Sequence, residues 1–469
     1  MNHMKRKIPC QDNKSKIESM VESAVESKVE NIIIDKKLIS KNEEIKDLQM
    51  AELDTDKLKF IDLCCGIGGF HQALIKLGME CVMASDIDKD CQDTYETNYG
   101  IKPRGDLSKI KVDEIPKFDV LCAGFPCQPF SKAGYQNGFE DERGNIFFDI
   151  CKIVKHHKPA YLILENVRNL SSHDKGNTWE TIKKSIDKLN YHTYKKPVIL
   201  NTLYFGVPQS RERVVILCKR KDIGDIPMLP KIDKTLVKAT TLNDIIESEN
   251  VCEKYKLEGK MKQTEEVWND FLSILSKNDI IIPKFPIWTD WWDSDGENTS
   301  VTKNDKNKSE AENNKLIKNR QKEFFKKYKD WIEKNRAFYN TNEAVLSPWL
   351  KRSRKKKLWL GAVRKFEWQA GDETLDMKKV LWSPRGSGVR VKKIDYAPTL
   401  VAMASMIPIF GPKSRQLTPR ECARLQSFPD DFTIHNNDKV AYKQFGNAVN
   451  VVMIERAARF LIKNDKLFT

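Results

Sequence analysis

The sequence predicts an α/β fold built on a mostly parallel sheet, and three patterns predict it. Short, largely apolar runs recur at Phe60-Ile61-Asp62-Leu63, Cys81-Val82-Met83-Ala84, Val120-Leu121-Cys122-Ala123, Tyr161-Leu162-Ile163-Leu164 and Val214-Val215-Ile216-Leu217, each of a length that suits a buried strand. Helical periodicity lies between them, as in the stripe Phe70, Ala73, Leu74 and Leu77. The turn Gly66-Ile67-Gly68-Gly69 joins the first run to that stripe, as a strand-to-helix unit requires. Alternation of this kind gives parallel sheets whose ligands collect at the C-terminal ends of the strands.

Each segment follows from its composition. Residues 1–56 are rich in Lys, Glu, Asp and Ser. Val21, Val25 and Val29 are spaced for one short helix, but the charge density favours a solvated, flexible extension. Residues 57–230 carry the strand and helix alternation. From 231 to 415 the periodicity gives way to a stretch dense in Lys, Trp and Tyr, with Phe285-Pro286-Ile287-Trp288-Thr289-Asp290-Trp291-Trp292 and the basic run 351–357. Within it, residues 294–320 are polar and low in complexity, the signature of a loop. Order resumes at Ser387-Gly388-Val389-Arg390 and at Leu417-Thr418-Pro419-Arg420-Glu421, and a last amphipathic helix carries Val451, Ile454, Ala458 and Leu461 on one face.

A chain of 469 residues has room for two or three domains. Its 81 basic against 66 acidic side chains leave a formal charge of +15, which suits a partner that carries phosphates. The 11 cysteines are odd in number and form no Cys-x-x-Cys pair or His-interleaved cluster, so a reduced, intracellular protein without a structural metal is expected. No run approaches the ~20 apolar residues that cross a bilayer, and no membrane role is expected.

Several side chains stand where chemistry should sit. Cys127, in Gly124-Phe125-Pro126-Cys127-Gln128-Pro129-Phe130-Ser131, lies just beyond the third run and suits a nucleophile, although a lone cysteine is more often a small core residue. Glu165 ends the fourth run, where an acid by itself more often forms a salt bridge. Arg211 and Arg213, in Gln209-Ser210-Arg211-Glu212-Arg213, would singly read as solvated. Asp86 ends the second run, the position that hydrogen-bonds a ribose diol in nucleotide-binding folds.

In order along the chain, and together with Gln444-Phe445-Gly446-Asn447-Ala448-Val449, these motifs resemble the C5 cytosine DNA methyltransferases from about Leu58 to the C-terminus. The resemblance implies a Rossmann-like S-adenosylmethionine-dependent methyltransferase domain over 57–230, completed by 416–469, and a smaller, divergent target-recognition domain over 231–415. It implies S-adenosylmethionine as cofactor, held by Gly66, Ile67, Gly68, Gly69, Asp86, Ile87, Asp106, Ile146 and Asn447. The Cys127 thiolate would add to C6 of cytosine, Glu165 would protonate or hydrogen-bond N3, and Arg211 and Arg213 would lower the thiol pKa. A base inside a duplex must first be flipped out, and Ser131 to Glu142, with Gly134 and Gly138, resembles the loop that closes over it.

Double-stranded DNA is the implied partner of an enzyme expected to act as a monomer in the cytoplasm or nucleoid. A restriction endonuclease of the same system is a further candidate partner. Two positions depart from the family pattern: Asp86 replaces the usual Glu, and Cys64 stands where an aromatic residue packs against the cofactor. Two other readings stay open at this point. One is the tRNA-modifying branch of the family, which usually has a small recognition region. The other is a catalytically silent DNA-binding relative.

Overall fold

The computed structural model describes residues 58–126, 146–231, 240–248, 253–292, 309–355 and 361–468. From Leu58 onward the chain forms one compact unit. The extension 1–56 and the valine stripe within it lie outside the described residues.

The first part of the chain runs β1 (Lys59–Leu63), α1 (Gly69–Ile75), β2 (Glu80–Ser85), α2 (Lys89–Tyr99), β3 (Val120–Gly124), α3 (Ile146–His157), β4 (Tyr161–Val167), α4 (Asn177–Lys188), β5 (Tyr191–Thr193), β6 (Val198–Asn201), β7 (Gln209–Ser210) and β8 (Glu212–Arg220). The main sheet has the order β2-β1-β3-β4-β8-β5, with β6 also on β8. Strands β1 to β4 are parallel, and β8 is antiparallel to β4, β5 and β6. Every strand but β8 therefore points the same way. The exception follows from its connection: β6 reaches β8 through the short turn Thr202–Phe205 and β7, and a parallel return would need a crossover helix.

Successive residues of β1 serve opposite faces of the sheet. Phe60 packs in a layer with Phe70, Leu74 and Ile454, whereas Ile61 and Leu63 join Phe147, Ile150 and Ile182. Burial on both faces explains why these strands read as continuous apolar runs rather than alternating ones.

The middle of the chain is built of α5 (Gly259–Lys277), β9 (Ile287–Trp288), α6 (Glu310–Thr341), α7 (Glu343–Lys355), β10 (Lys365–Gln369), β11 (Leu381–Arg385), β12 (Gly388–Lys392), β13 (Ala397–Pro398), β14 (Ile409–Phe410) and β15 (Arg415–Gln416). A second sheet of order β15-β14-β11-β12-β10-β9 carries its own core. Trp268 of α5 stacks on Phe366 of β10 with ring centroids 4.2 Å apart, and Trp349 of α7 and Trp382 of β11 are fully buried beside them. The polar stretch 294–320 is not loop throughout. Helix α6 begins at Glu310 because Ser309 and Glu312 form a reciprocal capping box, and residues 293–308 lie outside the described residues.

The chain then closes on itself through α8 (Pro419–Leu425), α9 (Asp438–Asn447) and α10 (Val451–Lys463). The apolar face of α10 packs on α1 and β8, so the first sheet is completed by the last helix.

One buried ion pair fastens this return. The Arg415 guanidinium donates to both carboxylate oxygens of Glu421, at 2.8 and 2.5 Å, with the two side chains 5% and 0% exposed. Glu421 also accepts from the main-chain amides of Thr418 and Glu247. Removing one partner leaves a buried charge without compensation, so Glu421→Ala is expected to cost about 3–5 kcal/mol. Urea unfolding checks this; an unchanged midpoint would remove the pair from the account of the fold.

Candidate active site

The site begins at the end of β1, where the chain turns through three residues with left-handed backbone, Cys64 (φ 52°), Gly66 (φ 54°) and Gly68 (φ 84°). Two glycines here answer to close contact. A Cβ on Gly68 would lie 2.3 Å from the Tyr99 ring, and one on Gly69 would lie 2.5 Å from the Val449 carbonyl oxygen. Tyr99 supports the turn from behind by donating to the carbonyls of Ile67 and Gly68. Beneath it, burial holds the Asp62 carboxyl well above the usual carboxylate range.

This turn forms one wall of a cavity of about 420 Å³ at the C-terminal ends of β1 to β4. Asp86, at the end of β2, accepts from the amides of Gly66 and Asp88, both at 2.8 Å. Burial raises its pKa, and those amide hydrogen bonds oppose the rise. Next to it Ile87 is 77% exposed, an apolar side chain held out in the cavity. Asp106 accepts from the amide and hydroxyl of Ser108, which hold its carboxyl below the ordinary value. Ile146, the first residue of α3, lines the same space. Burial, with Asp86 and Asp62 nearby, pushes the Cys64 thiol up to about 12, so this wall is a neutral thiol.

The far end of the cavity holds Glu165 and Arg213. They are diagonal neighbours on the antiparallel β4 and β8 pair, in which Glu165 is opposite Val215 and Arg213 opposite Val167, and the Arg213 Nε lies 2.8 Å from the Glu165 carboxylate. Burial raises the Glu165 pKa, and the charges of Arg213 and Arg211 oppose it. Pro126 lines the cavity directly before Cys127, which itself lies outside the described residues, as does the segment Ser131 to Glu142. Asn166 holds the chain just past β3 by donating to the Phe125 carbonyl at 2.9 Å.

Arg211 is placed differently from Arg213. It is 1% exposed and is not among the lining residues; its guanidinium donates to the carbonyls of Leu400 (3.3 Å), Gly446 (3.2 Å) and Ala448 (2.8 Å). Burial and the charge of Arg213 lower its pKa, and Glu165 opposes them. Adjacent strand residues point to opposite faces, so two arginines spaced by two could both have faced the cavity. The break between β7 and β8 at Arg211 separates them.

Of the other sequence candidates, Gly66, Asp86, Ile87, Asp106, Ile146, Glu165, Arg213 and Asn447 line one cavity. Ile67, Gly68 and Gly69 are buried behind it. Asn447 is exposed at the end of α9, which is pinned to α2 by Gln444 donating to Asp90 O and Thr94 Oγ1 and by a Lys443 to Asp88 pair at 2.6 Å. Sequence reasoning passed over Asn166 and Gln444 as positioning groups, although both sit inside motifs that it singled out.

A profile of the C-5 cytosine-specific DNA methylases matches residues 58–463. The chain is 35% identical over 435 residues to Type II methyltransferase M.BanI of Aneurinibacillus aneurinilyticus, covering 87% of this chain and 96% of that one. It is 32% identical over 415 residues to Type II methyltransferase M.HhaI of Haemophilus parahaemolyticus, covering 88% and 96%. A third relative, Type II methyltransferase M.HgiCI of Herpetosiphon aurantiacus, is 35% identical over 432 residues, covering 87% and 99%.

Replacing Arg211 by Met leaves three main-chain carbonyls without their donor. The expected loss is about 3 kcal/mol of stability, since each unpaired buried group costs roughly 1–3 kcal/mol. Lys should not restore it, because a single ammonium lacks the planar fork that reaches several acceptors. Denaturant unfolding of both variants tests this, and wild-type stability in Arg211→Met would overturn the assignment.

Proposed function

Because the chain belongs to the C-5 cytosine-specific DNA methylase family, and so transfers methyl groups to C5 of cytosine in DNA, we propose that the cavity works as follows. The observation that carries the reading is the buried Glu165–Arg213 pair sharing one cavity with Asp86, Asp106 and the residue preceding Cys127.

The lining residues fit S-adenosylmethionine. Asp86 and Asp106 offer carboxylates to hydroxyl and amino groups, and Ile87 and Ile146 offer apolar contacts to the faces of an adenine. Open space beside the Gly66 main chain leaves room for close approach. When bound, the cofactor supplies the electrophilic methyl group.

Cytosine C5 is a poor nucleophile until a group adds at C6. Cys127 is assigned that addition, its Sγ bonding to C6 of a base flipped from the duplex and pushing electron density to C5. Once C5 carries the methyl group, its proton passes to a base, and the C6–Sγ bond breaks to release the thiolate and restore the ring. Glu165 holds a proton for N3, which a carboxyl can do near neutrality only if its pKa is raised, and burial acts in that direction. Arg213 orients Glu165 and limits the rise.

The region 231–415 is assigned the reading of the DNA sequence, as the segment in which this chain keeps its own sheet and aromatic core. A Type II system would pair such an enzyme with a restriction endonuclease, and that partner is part of the proposal. The relatives named above favour DNA over tRNA as substrate, and a silent relative would have no need of an intact Glu165–Arg213 pair.

Expression in cells without cytosine methylation, followed by bisulfite sequencing, is expected to show one short motif methylated throughout the genome. A duplex carrying 5-fluorocytosine at that motif should then form a covalent adduct that Cys127→Ser does not form, because fluorine cannot leave as the elimination requires. An adduct on the serine variant, or none on the wild type, would remove Cys127 from its role.

The proton held by Glu165 also sets a pH dependence. Activity should fall as pH rises through the Glu165 pKa, and Glu165→Gln should lower kcat by about 10²–10⁴-fold. Arg213→Met removes the charge that opposes the raised pKa, so the alkaline limb of its residual activity should move to higher pH. Single-turnover rates across pH test this, and a limb shifted to lower pH would contradict it.

A further inference from the structure

Two concave features of the second sheet are not used by the reading above. The first is a basic cleft of about 380 Å³ in which Arg385, Arg390 and Lys392 meet Ser383, Ser387 and Thr399. It adjoins the catalytic strands: β13 pairs with β7, and Thr399 Oγ1 donates to the Ser210 carbonyl at 2.8 Å, one residue before Arg211. The second is an aromatic pocket of about 280 Å³ where Trp288, Phe324, Tyr328 and Trp331 line a space with Lys365.

The two adjoin: Ser387, at the tip of the β11–β12 hairpin, and Arg390 of β12, opposite Ser383, line both. Their charge is one-sided. Among the described residues no carboxylate lines the cleft, and the one that lines the pocket, Glu367, is paired with Arg390 at 3.0 Å. Among the described residues Arg385 makes a single long hydrogen bond, to the Thr399 carbonyl at 3.5 Å. Burial and neighbouring Arg390 disfavour its charge, so an anion in the cleft would relieve it.

The pocket has the opposite character. Trp331 is 43% exposed on the surface of α6, and the helix leaves helical geometry at Tyr328 (φ −116°, ψ 18°), whose ring is also in the lining. The Lys365 ammonium sits 3.5 Å from the Trp288 ring centroid. Buried Trp291, with Phe324 and Phe325 packed against it, backs these rings, so they are held in place rather than free to collapse. A ligand that suits both features carries an anion next to a flat, unsaturated ring. A nucleotide of a nucleic acid strand does so.

We propose that the cleft and pocket together form a second nucleotide site, in which Arg385, Arg390 and Lys392 hold a phosphate of the substrate DNA and an unstacked base enters the aromatic pocket. This base is distinct from the cytosine that reaches Glu165. The proposal rests on the DNA methyltransferase reading. Ring faces accept any base, so the site adds affinity and holds the duplex in register rather than selecting its sequence.

The test uses the full chain and a duplex bearing the methylated motif. 5-Iodouracil is placed at each position in turn, irradiated, and mapped by mass spectrometry. One position other than the target cytosine is expected to cross-link to the segment 324–331. Trp331→Ala should raise Kd about tenfold for the intact duplex, as loss of one base stack does. Against a duplex made abasic at that position, wild type and variant should bind alike. Arg385→Gln should weaken binding and reduce the salt dependence by about one phosphate contact. A duplex that is bound and methylated, yet never cross-links there, overturns this site alone. A duplex that is neither bound nor methylated overturns the enzymatic reading and this site with it.

Discussion

The buried guanidinium of Arg211 is the constraint on which the rest of this structure depends. It holds carbonyls from residues 400, 446 and 448, which lie far along the chain from it. The cavity lining includes Gly446, Asn447 and Ala448, so the cavity has its shape only while the C-terminal segment is held against the first sheet. Glycine at 446 allows the approach, because a Cβ there would lie 2.6 Å from the main chain of Ala402. The apolar face of α10 then covers α1 and β8. The first sheet and the C-terminal helices, far apart along the chain, are joined in this way through a few polar contacts and one helix.

The electrostatics of the site follow from a competition between burial and pairing. Glu165 is largely buried at the end of the cavity, which favours its neutral form, while Arg213 at 2.8 Å favours the ionised one. Burial prevails in direction, so the carboxyl pKa stands above its ordinary value. Arg211 is buried still more fully, and its charge is spread over main-chain carbonyls rather than directed at the cavity. Two arginines of one short motif thus divide their work, one paired with Glu165 in the cavity and one in the architecture.

In the second sheet aromatic mass replaces strand periodicity as the source of stability. Trp268, Phe366, Trp349 and Trp382 fill its core, and large rings contribute through area at few positions rather than through a regular stripe. That is why the middle of the chain shows dense Trp and Tyr but no readable alternation. The same economy leaves Trp331 and Tyr328 at a surface that adjoins a cluster of arginines.

The sequence by itself determined the parallel core strands, the strand-to-helix turn at Gly66, the amphipathic last helix and the family. Each of these is local, since burial on two faces, a positive φ and a helical stripe leave their mark within a few residues. The membership of the cavity was largely legible for the same reason, because many of its residues stand at strand ends, with Ile146 and Asn447 at helix ends. Tertiary structure alone decided that β8 runs against its neighbours, that Arg211 faces carbonyls while Arg213 faces Glu165, and that residues 310–320 continue into a long helix. It also decided that Asn166 and Gln444 hold the walls in place. Those outcomes depend on which distant groups satisfy a buried charge or amide, and such partners are chosen by packing across hundreds of residues rather than by the spacing of neighbours.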